Sequence, residues 1–75
     1  MNLSNMILKE KAKVTKIELT GRMRRRLLDI GLIPGTVVEC ALKGPFHDPL
    51  AYKIRGAIIA IRSEDAKGVK IEKLG

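Results

Sequence analysis

Short stretches of alternating hydrophobic and polar residues run through most of the chain, and they predict five β-strands. Alternation with a period of two is typical of strands that bury one face. In the first strand the apolar phase changes by one residue near Thr15 and Lys16, which predicts a β-bulge there. The predicted strands span Lys11–Leu19, Thr36–Leu42, Leu50–Arg55, Ala57–Arg62 and Val69–Lys73.

The same alternation assigns side chains to the core. Successive strand residues point to opposite faces, so every second residue of a half-buried strand is expected inside. The inward residues predicted in this way are Val38, Cys40 and Leu42, then Leu50, Tyr52 and Ile54, and finally Val69 and Ile71.

One segment, Thr20–Ile30, has the period of an α-helix instead. Gly31 follows it at the position where helices often end in a left-handed residue, and Leu32 can then fold back onto Leu27. The apolar stripe of this helix consists of Met23, Leu27 and Ile30, widened by Leu28.

Glycine and proline mark the remaining connections. Pro34-Gly35 predicts a tight turn, because proline presets φ and glycine accepts a positive φ. Lys43–Pro49 is predicted to be a loop, and Ser63–Ala66 a single helical turn. Met1–Met6 is interpreted as a loose tail or a lead-in to the first strand.

Five short strands with one inserted helix predict a mainly β fold, a small SH3-like barrel formed by a single domain over residues 1–75. Closing the sheet is the best way to hide strand edges in so small a protein. An OB-type barrel is the main structural alternative.

The length of the chain disfavours catalysis. With 75 residues, a deep active-site cleft would compete with the core for volume. The sequence has no Ser/His/Asp order, no paired carboxylates and no phosphate-binding glycine loop. We therefore predict a binding module and not an enzyme.

The charge balance indicates an acidic partner. Lysine and arginine total 15 against 8 aspartate and glutamate, for a net charge of +7. Such an excess fits nucleic acid, an anionic membrane surface or an acidic protein face, and does not choose between them.

Cysteine usage and hydropathy point to the cytoplasm. Cys40 is the only cysteine, so no intrachain disulfide can form. Met1–Met6 lacks the apolar core of a signal peptide. The longest apolar run, Ala57–Ile61, is far shorter than the roughly 20 residues of a membrane helix. We expect a cytoplasmic protein that does not itself span a membrane.

An ordered set of motifs then resembles a known family. The runs Arg26–Thr36 and Gly44–Gly56, followed by Ala60–Arg62 and Glu64–Ala66, closely resemble the FeoA family of bacterial ferrous-iron transport. The resemblance covers about Lys11 to Lys73. It implies an SH3-like barrel with a helix after the first strand, and an accessory role beside a membrane iron permease that has a cytoplasmic GTPase domain. His47 departs from the family pattern, which more often has a small residue there.

Two segments are the candidates for binding this partner. Arg22, Arg25 and Arg26, together with Arg24, form a basic cluster on the predicted helix that either docks on an acidic surface or is simply a solvated face. The loop residues Phe46, His47, Asp48 and Pro49 are the second candidate, with Phe46 either an exposed anchor or a lid on the barrel.

Metal binding has three candidate residues, Cys40, His47 and Asp48. A transition-metal site needs three or four suitable ligands. Cys40 is expected on an apolar face, where a thiol acts as a small hydrophobe. No metal site and no cofactor are predicted within one chain, while a weakly bound divalent metal and a metal-sensing role stay open.

Nucleic-acid binding is the other alternative left open. The net charge fits it, but single-strand readers need aromatic platforms, and Tyr52 and Phe46 are the only aromatic residues. No nucleic acid is therefore expected as a partner. The same shortage disfavours the aromatic groove with which SH3 domains bind proline-rich peptides. Assembly into a homo-oligomer also stays open.

Overall fold

The computed structural model describes residues 1–45 and 49–74. A 3₁₀ turn at Leu3–Asn5 precedes the first strand. The strands are β1 (Lys11–Ile17), β2 (Val37–Lys43), β3 (Leu50–Ile54), β4 (Ala57–Ile61) and β5 (Val69–Lys73), and the helices are α1 (Gly21–Asp29) and α2 (Ser63–Ala66).

All five strands join one antiparallel sheet in the order β4-β3-β2-β1-β5. A single buried cluster takes side chains from every strand, from the 3₁₀ turn and from α1. The mainly β class and the helix inserted after the first strand are thus confirmed. Each predicted strand is present, with ends that coincide with the prediction or differ from it by at most two residues.

Two β-bulges interrupt the ladder. The first lies between Val14 and Lys16 where β1 pairs with β5, which confirms the predicted change of phase. The second lies between Cys40 and Leu42 where β2 pairs with β3. Because a bulge inserts one extra residue, it turns the following side chain outward. Leu42 is 57% exposed for this reason, and its assignment to the core was wrong.

α1 ends as its sequence predicts. The amide of Leu32 donates to the carbonyl of Leu27 at 2.8 Å, and the amide of Gly31 donates to the carbonyl of Leu28 at 3.0 Å. This is the paired hydrogen-bonding pattern of a Schellman motif, with Gly31 at a φ of +90°. Leu27 and Leu32 are both buried. Leu28 lies about 100° around the helix from Leu27 and is exposed, so it does not widen the apolar stripe.

The N-terminal residues are part of the core and not a loose tail. Leu3 and Met6 are fully buried. The Asn2 side chain accepts a hydrogen bond from the Ser4 amide and caps the 3₁₀ turn. The hydroxyl of Tyr52 donates to the carbonyl of Leu3 at 2.9 Å. Of the two interpretations of Met1–Met6, the loose tail was therefore wrong, and the segment leads toward β1 through a 3₁₀ turn.

A two-residue turn joins β3 to β4. Ile54 and Ala57 are paired across it, and Arg55 and Gly56 both have positive φ, +50° and +85°. These values are typical of the type I′ turn, whose twist matches that of the flanking strands. The turn fixes the register of β4, the strand that borders the candidate site below.

Within residues 1–45 and 49–74, no helix is long and apolar enough to cross a bilayer.

Candidate partner-binding surface

The basic face of α1 is the first component of the candidate surface. Leu27 is buried and Met23 half-buried on the core side of the helix, which leaves the arginines outside. Arg22, Arg24, Arg25 and Arg26 are all exposed. The ion pairs found in the described part of the chain involve other basic residues, namely Lys16, Arg62, Lys70 and Lys73.

Helix stability explains Arg26, which lies in the last turn of α1, but it does not explain Arg22 in the first turn. The N-terminus of a helix carries partial positive charge, so basic residues in the first turn are unfavourable there. α1 has no acidic residue in its first turn, and Arg22 lies in that turn. Its Thr20 N-cap makes no side-chain cap hydrogen bond either. The arrangement fits a surface that binds an anionic group better than it fits an isolated stable helix.

A groove of about 290 Å³ is the second component, and it lies between α1, β4 and α2. Its apolar lining includes Met23 and Leu27 from α1 and residues of β4. Charged side chains also line it. The full lining is Met23, Arg26, Leu27, Pro49, Ile59, Ala60, Ile61, Arg62 and Asp65.

The groove brings together two predicted partner-binding residues, Arg26 and Pro49, which are distant in sequence. Arg22 and Arg25 are exposed on α1 outside the groove lining. Phe46, His47 and Asp48 lie outside the described residues, so their predicted role stays a prediction.

Sequence reasoning missed the contribution of β4. Ile59 and Arg62 line the groove, yet the segment Ala57–Arg62 was predicted only to be a strand. Its composition gave no clue, because a run of isoleucine and alanine is equally typical of a fully buried strand. In the part of the chain that the structure describes, β4 lies at the end of the sheet, and one of its edges has no paired strand.

Of the three metal candidates, only Cys40 lies in the described part of the chain. No group of three or more His, Cys, Asp or Glu side chains there could hold an ion. Cys40 is fully buried, and desolvation, the largest cause, raises the pKa of its thiol. A thiol in that position packs as a hydrophobe and is a poor ligand for an ion arriving from solvent.

Tyr52 offers no platform for bases or proline-rich peptides. Its ring is fully buried, and its hydroxyl donates a hydrogen bond to the carbonyl of Leu3. Burial strongly raises the pKa of this phenol. Within residues 1–45 and 49–74, no exposed aromatic side chain is therefore present for stacking.

Comparison with known proteins supplies an independent line of evidence. The family model described as "FeoA domain" matches residues 1–73. A curated fusion protein of Fe(2+) transport protein A and the Fe(2+) transporter FeoB, from Porphyromonas gingivalis, is 35% identical over 75 residues. The match covers 96% of this chain and only 8% of the fusion protein.

Solved structures show the same fold. The solution structure of the FeoA protein from Chlorobium tepidum has a TM-score of 0.94 at 29% identity, covering 100% of this chain and 71% of that one. The zinc complex of FeoA from Stenotrophomonas maltophilia, described as an SH3 domain protein, has a TM-score of 0.81 at 30% identity, covering 96% and 89%. The SH3-like class predicted from the sequence is confirmed, in preference to the OB-type alternative.

Proposed function

The chain belongs to the FeoA family, and from that premise we propose that it assists ferrous-iron uptake by binding the cytoplasmic part of a membrane iron permease. The family consists of small accessory transport domains and not of enzymes, so the prediction of no catalytic activity is confirmed. The observation that carries the proposal is the Porphyromonas gingivalis fusion, in which a similar domain and an iron transporter are parts of one polypeptide.

Fusion of two proteins in one organism is a common sign that separate homologues associate. The present chain spans about one-twelfth of the fusion protein, since it covers 8% of its length. We propose that the remaining part, supplied in trans, is the binding partner and that it includes the permease's GTPase domain. A cytoplasmic location follows from this proposal.

The basic face of α1 supports a contact with an acidic protein surface. Arg22 and Arg25 are exposed and take part in none of the ion pairs recorded for the described residues. Charges of one sign on a small domain accelerate association with a surface of opposite sign and make it sensitive to salt. We assign the contact to Arg22, Arg25 and Arg26, and we propose Phe46, His47, Asp48 and Pro49 as its second part.

Calorimetry with the purified GTPase domain of the permease from the same organism tests the proposal. We expect saturable binding at low salt that the double substitution Arg22→Glu and Arg25→Glu reduces at least about tenfold. Lys13 is an exposed residue of β1, so Lys13→Glu with Lys11→Glu gives a control of equal charge change. No binding by two folded proteins at low salt would contradict the proposal, and equal losses in both double variants would contradict the assigned face.

A weakly bound divalent metal is a second proposal, which the zinc complex of the Stenotrophomonas maltophilia protein supports. Burial makes Cys40 a poor ligand for an ion from solvent, so we propose His47 and Asp48 as the ligands. Native mass spectrometry with added Zn²⁺ tests this. A stoichiometric ion that His47→Ala removes would support it, and an unchanged ion count in that variant would contradict it.

A further inference from the structure

The two edges of the sheet are treated differently by the chain. At one end, β5 is covered by the N-terminal segment: the amide of Ile71 donates to the carbonyl of Met1 at 3.0 Å, and Asn2 forms a β-bridge with Lys70. At the other end, β4 is an edge strand. Unpaired edges promote association with other chains, and proteins usually protect them.

The register of β4 shows which backbone groups are free. The Ile54–Ala57 pair closes a two-residue turn, so it must be a hydrogen-bonded pair. Hydrogen-bonded and non-hydrogen-bonded pairs alternate along an antiparallel ladder. Ala57, Ile59 and Ile61 therefore bond to β3, whereas the N–H and C=O groups of Ile58 and Ala60 point outward. Nothing in residues 1–45 and 49–74 forms a backbone hydrogen bond with those outward groups.

None of the usual protective features is present on β4. The strand contains only alanine and isoleucine, so it has no charge and no proline. Its five residues pair with β3 without a bulge. Ile58 is 60% exposed, and Ala60 is also exposed. With respect to residues 1–45 and 49–74, such a strand is open to an added strand, the mode of recognition called β-augmentation.

The surroundings of this edge select the chemistry of what binds there. From Leu50 to Arg62 the chain carries three basic residues, Lys53, Arg55 and Arg62, and no acidic residue. Arg26 and Arg62 line the neighbouring groove, where the charged exception is Asp65. Arg62 is held by Glu64 only loosely, at 4.0 Å with both side chains about three-quarters exposed. The floor of the groove is apolar, with Ile59 and Ile61 facing Met23 and Leu27.

A second copy of the chain is a poor occupant. Antiparallel pairing of two β4 strands through Ile58 and Ala60 would be centred on Ile59. Arg62 of one copy would then lie close to Arg55 of the other. Each copy also carries a net charge of +7. Like charges at both ends of the pair oppose this arrangement.

We propose that the outer edge of β4 binds an extended segment of a partner protein, which adds a strand to the sheet and carries acidic residues at its ends. Alternate apolar side chains of that segment enter the groove beside Ile59, and its acidic residues meet Arg26 and Arg62. The proposal goes beyond the proposed function, because it specifies a mode of binding that holds whichever protein supplies the segment.

The test uses the full chain and two synthetic peptides of alternating valine and threonine, one ended by glutamates and the other by lysines. NMR titration is expected to perturb the amides of Ile58 and Ala60 and slow their hydrogen exchange with the glutamate peptide only. Ala60→Pro removes an outward N–H group without removing a hydrogen bond to β3. It should weaken binding of the glutamate peptide about tenfold. Ala60→Val keeps that N–H and should bind normally.

Arg62→Glu should transfer the preference from the glutamate peptide to the lysine peptide. Equal binding of both peptides, or perturbations confined to α1, would overturn the proposal. Protection of the Ile58 amide that grows with protein concentration in the absence of peptide would show that a second copy is the occupant, and would overturn it as well. If Ala60→Pro fails to fold, two measurements still test the proposal. They are hydrogen exchange on the unaltered chain and the choice that the Arg62→Glu variant makes between the two peptides.

Discussion

Gly31 closes α1 in a conformation that other residues adopt only with strain. Its φ is +90°, and a β-carbon built on it would lie 2.6 Å from the Cδ atom of Arg55. Gly35 has a φ of +97° with open space around it. The two glycines therefore separate the cost of backbone strain from the cost of a steric clash.

We expect Gly35→Ala to lower the free energy of unfolding by about 1 kcal/mol, from backbone strain alone. Gly31→Ala should cost somewhat more, because the Arg55 side chain must also move. Thermal or urea unfolding measures both, and Arg55→Ala should remove the excess cost at Gly31. Wild-type stability in both glycine variants would show that neither turn requires a positive φ.

Cys40 should be chemically inert while the protein is folded. Burial raises the pKa of its thiol, so at pH 8 the folded protein holds less of the reactive thiolate than the unfolded chain does. Iodoacetamide labelling followed by mass spectrometry is expected to be slow in buffer and fast in urea. Equal rates in the two conditions would contradict the burial of this side chain and reopen Cys40 as a metal ligand.

At the scale of single elements, α1 combines a stabilising C-terminus with an unfavourable first turn. Arg22→Glu replaces a positive charge near the N-terminus with a negative one, so it should stabilise the fold by about 0.3–1 kcal/mol. The same change should weaken binding to the GTPase domain. Urea unfolding and calorimetry on one variant measure the two effects.

Arg26→Glu is the matched control, because Arg26 lies in the last turn of α1. There a negative charge meets the negative end of the helix dipole and should destabilise the fold. A fall in stability for Arg22→Glu would contradict the view that the first-turn arginine is retained for binding.

How far the sequence predicts each element depends on whether its neighbours are local. The helix, its C-terminal glycine and the bulge near Thr15 were predicted correctly, since each is encoded within a few residues. Leu42 was misassigned because the bulge after Cys40 becomes apparent only when β2 pairs with β3. Leu3 was missed because its burial depends on Tyr52, far along the chain.

The candidate surface was also predictable only in part. The exposure of Arg22 and Arg25 follows from helical periodicity alone. The groove does not, because it forms only when α1, β4 and α2 come together in the folded chain. The unpaired edge of β4 could not be predicted from the sequence either, because a run of isoleucine and alanine is equally typical of a fully buried strand. Strand order, a property of the whole sheet, decides between these two cases.

For the whole molecule, the net charge of +7 gives folding and binding opposite dependences on salt. Excess positive charge destabilises the compact state through self-repulsion, which salt screens. The favourable ion pairs oppose this. Three of the four in the described residues are surface pairs such as Lys16–Glu18 at 3.7 Å, whose contribution is small, and only Lys73–Glu10 at 3.0 Å includes a largely buried side chain. We therefore expect the melting temperature to rise as NaCl increases from about 0.05 to about 0.5 M, a range over which the screening length falls severalfold.

Binding to an acidic partner should weaken over the same range, because screening removes the attraction between the two surfaces. Differential scanning fluorimetry and calorimetry in matched buffers compare the two trends directly. The Arg22→Glu and Arg25→Glu double variant lowers the net charge by four units, so both dependences should become shallower in it. A melting temperature that falls with salt would mean that attractive ion pairs outweigh self-repulsion. A dissociation constant that is insensitive to salt would mean that apolar contacts, and not the arginines of α1, dominate the complex.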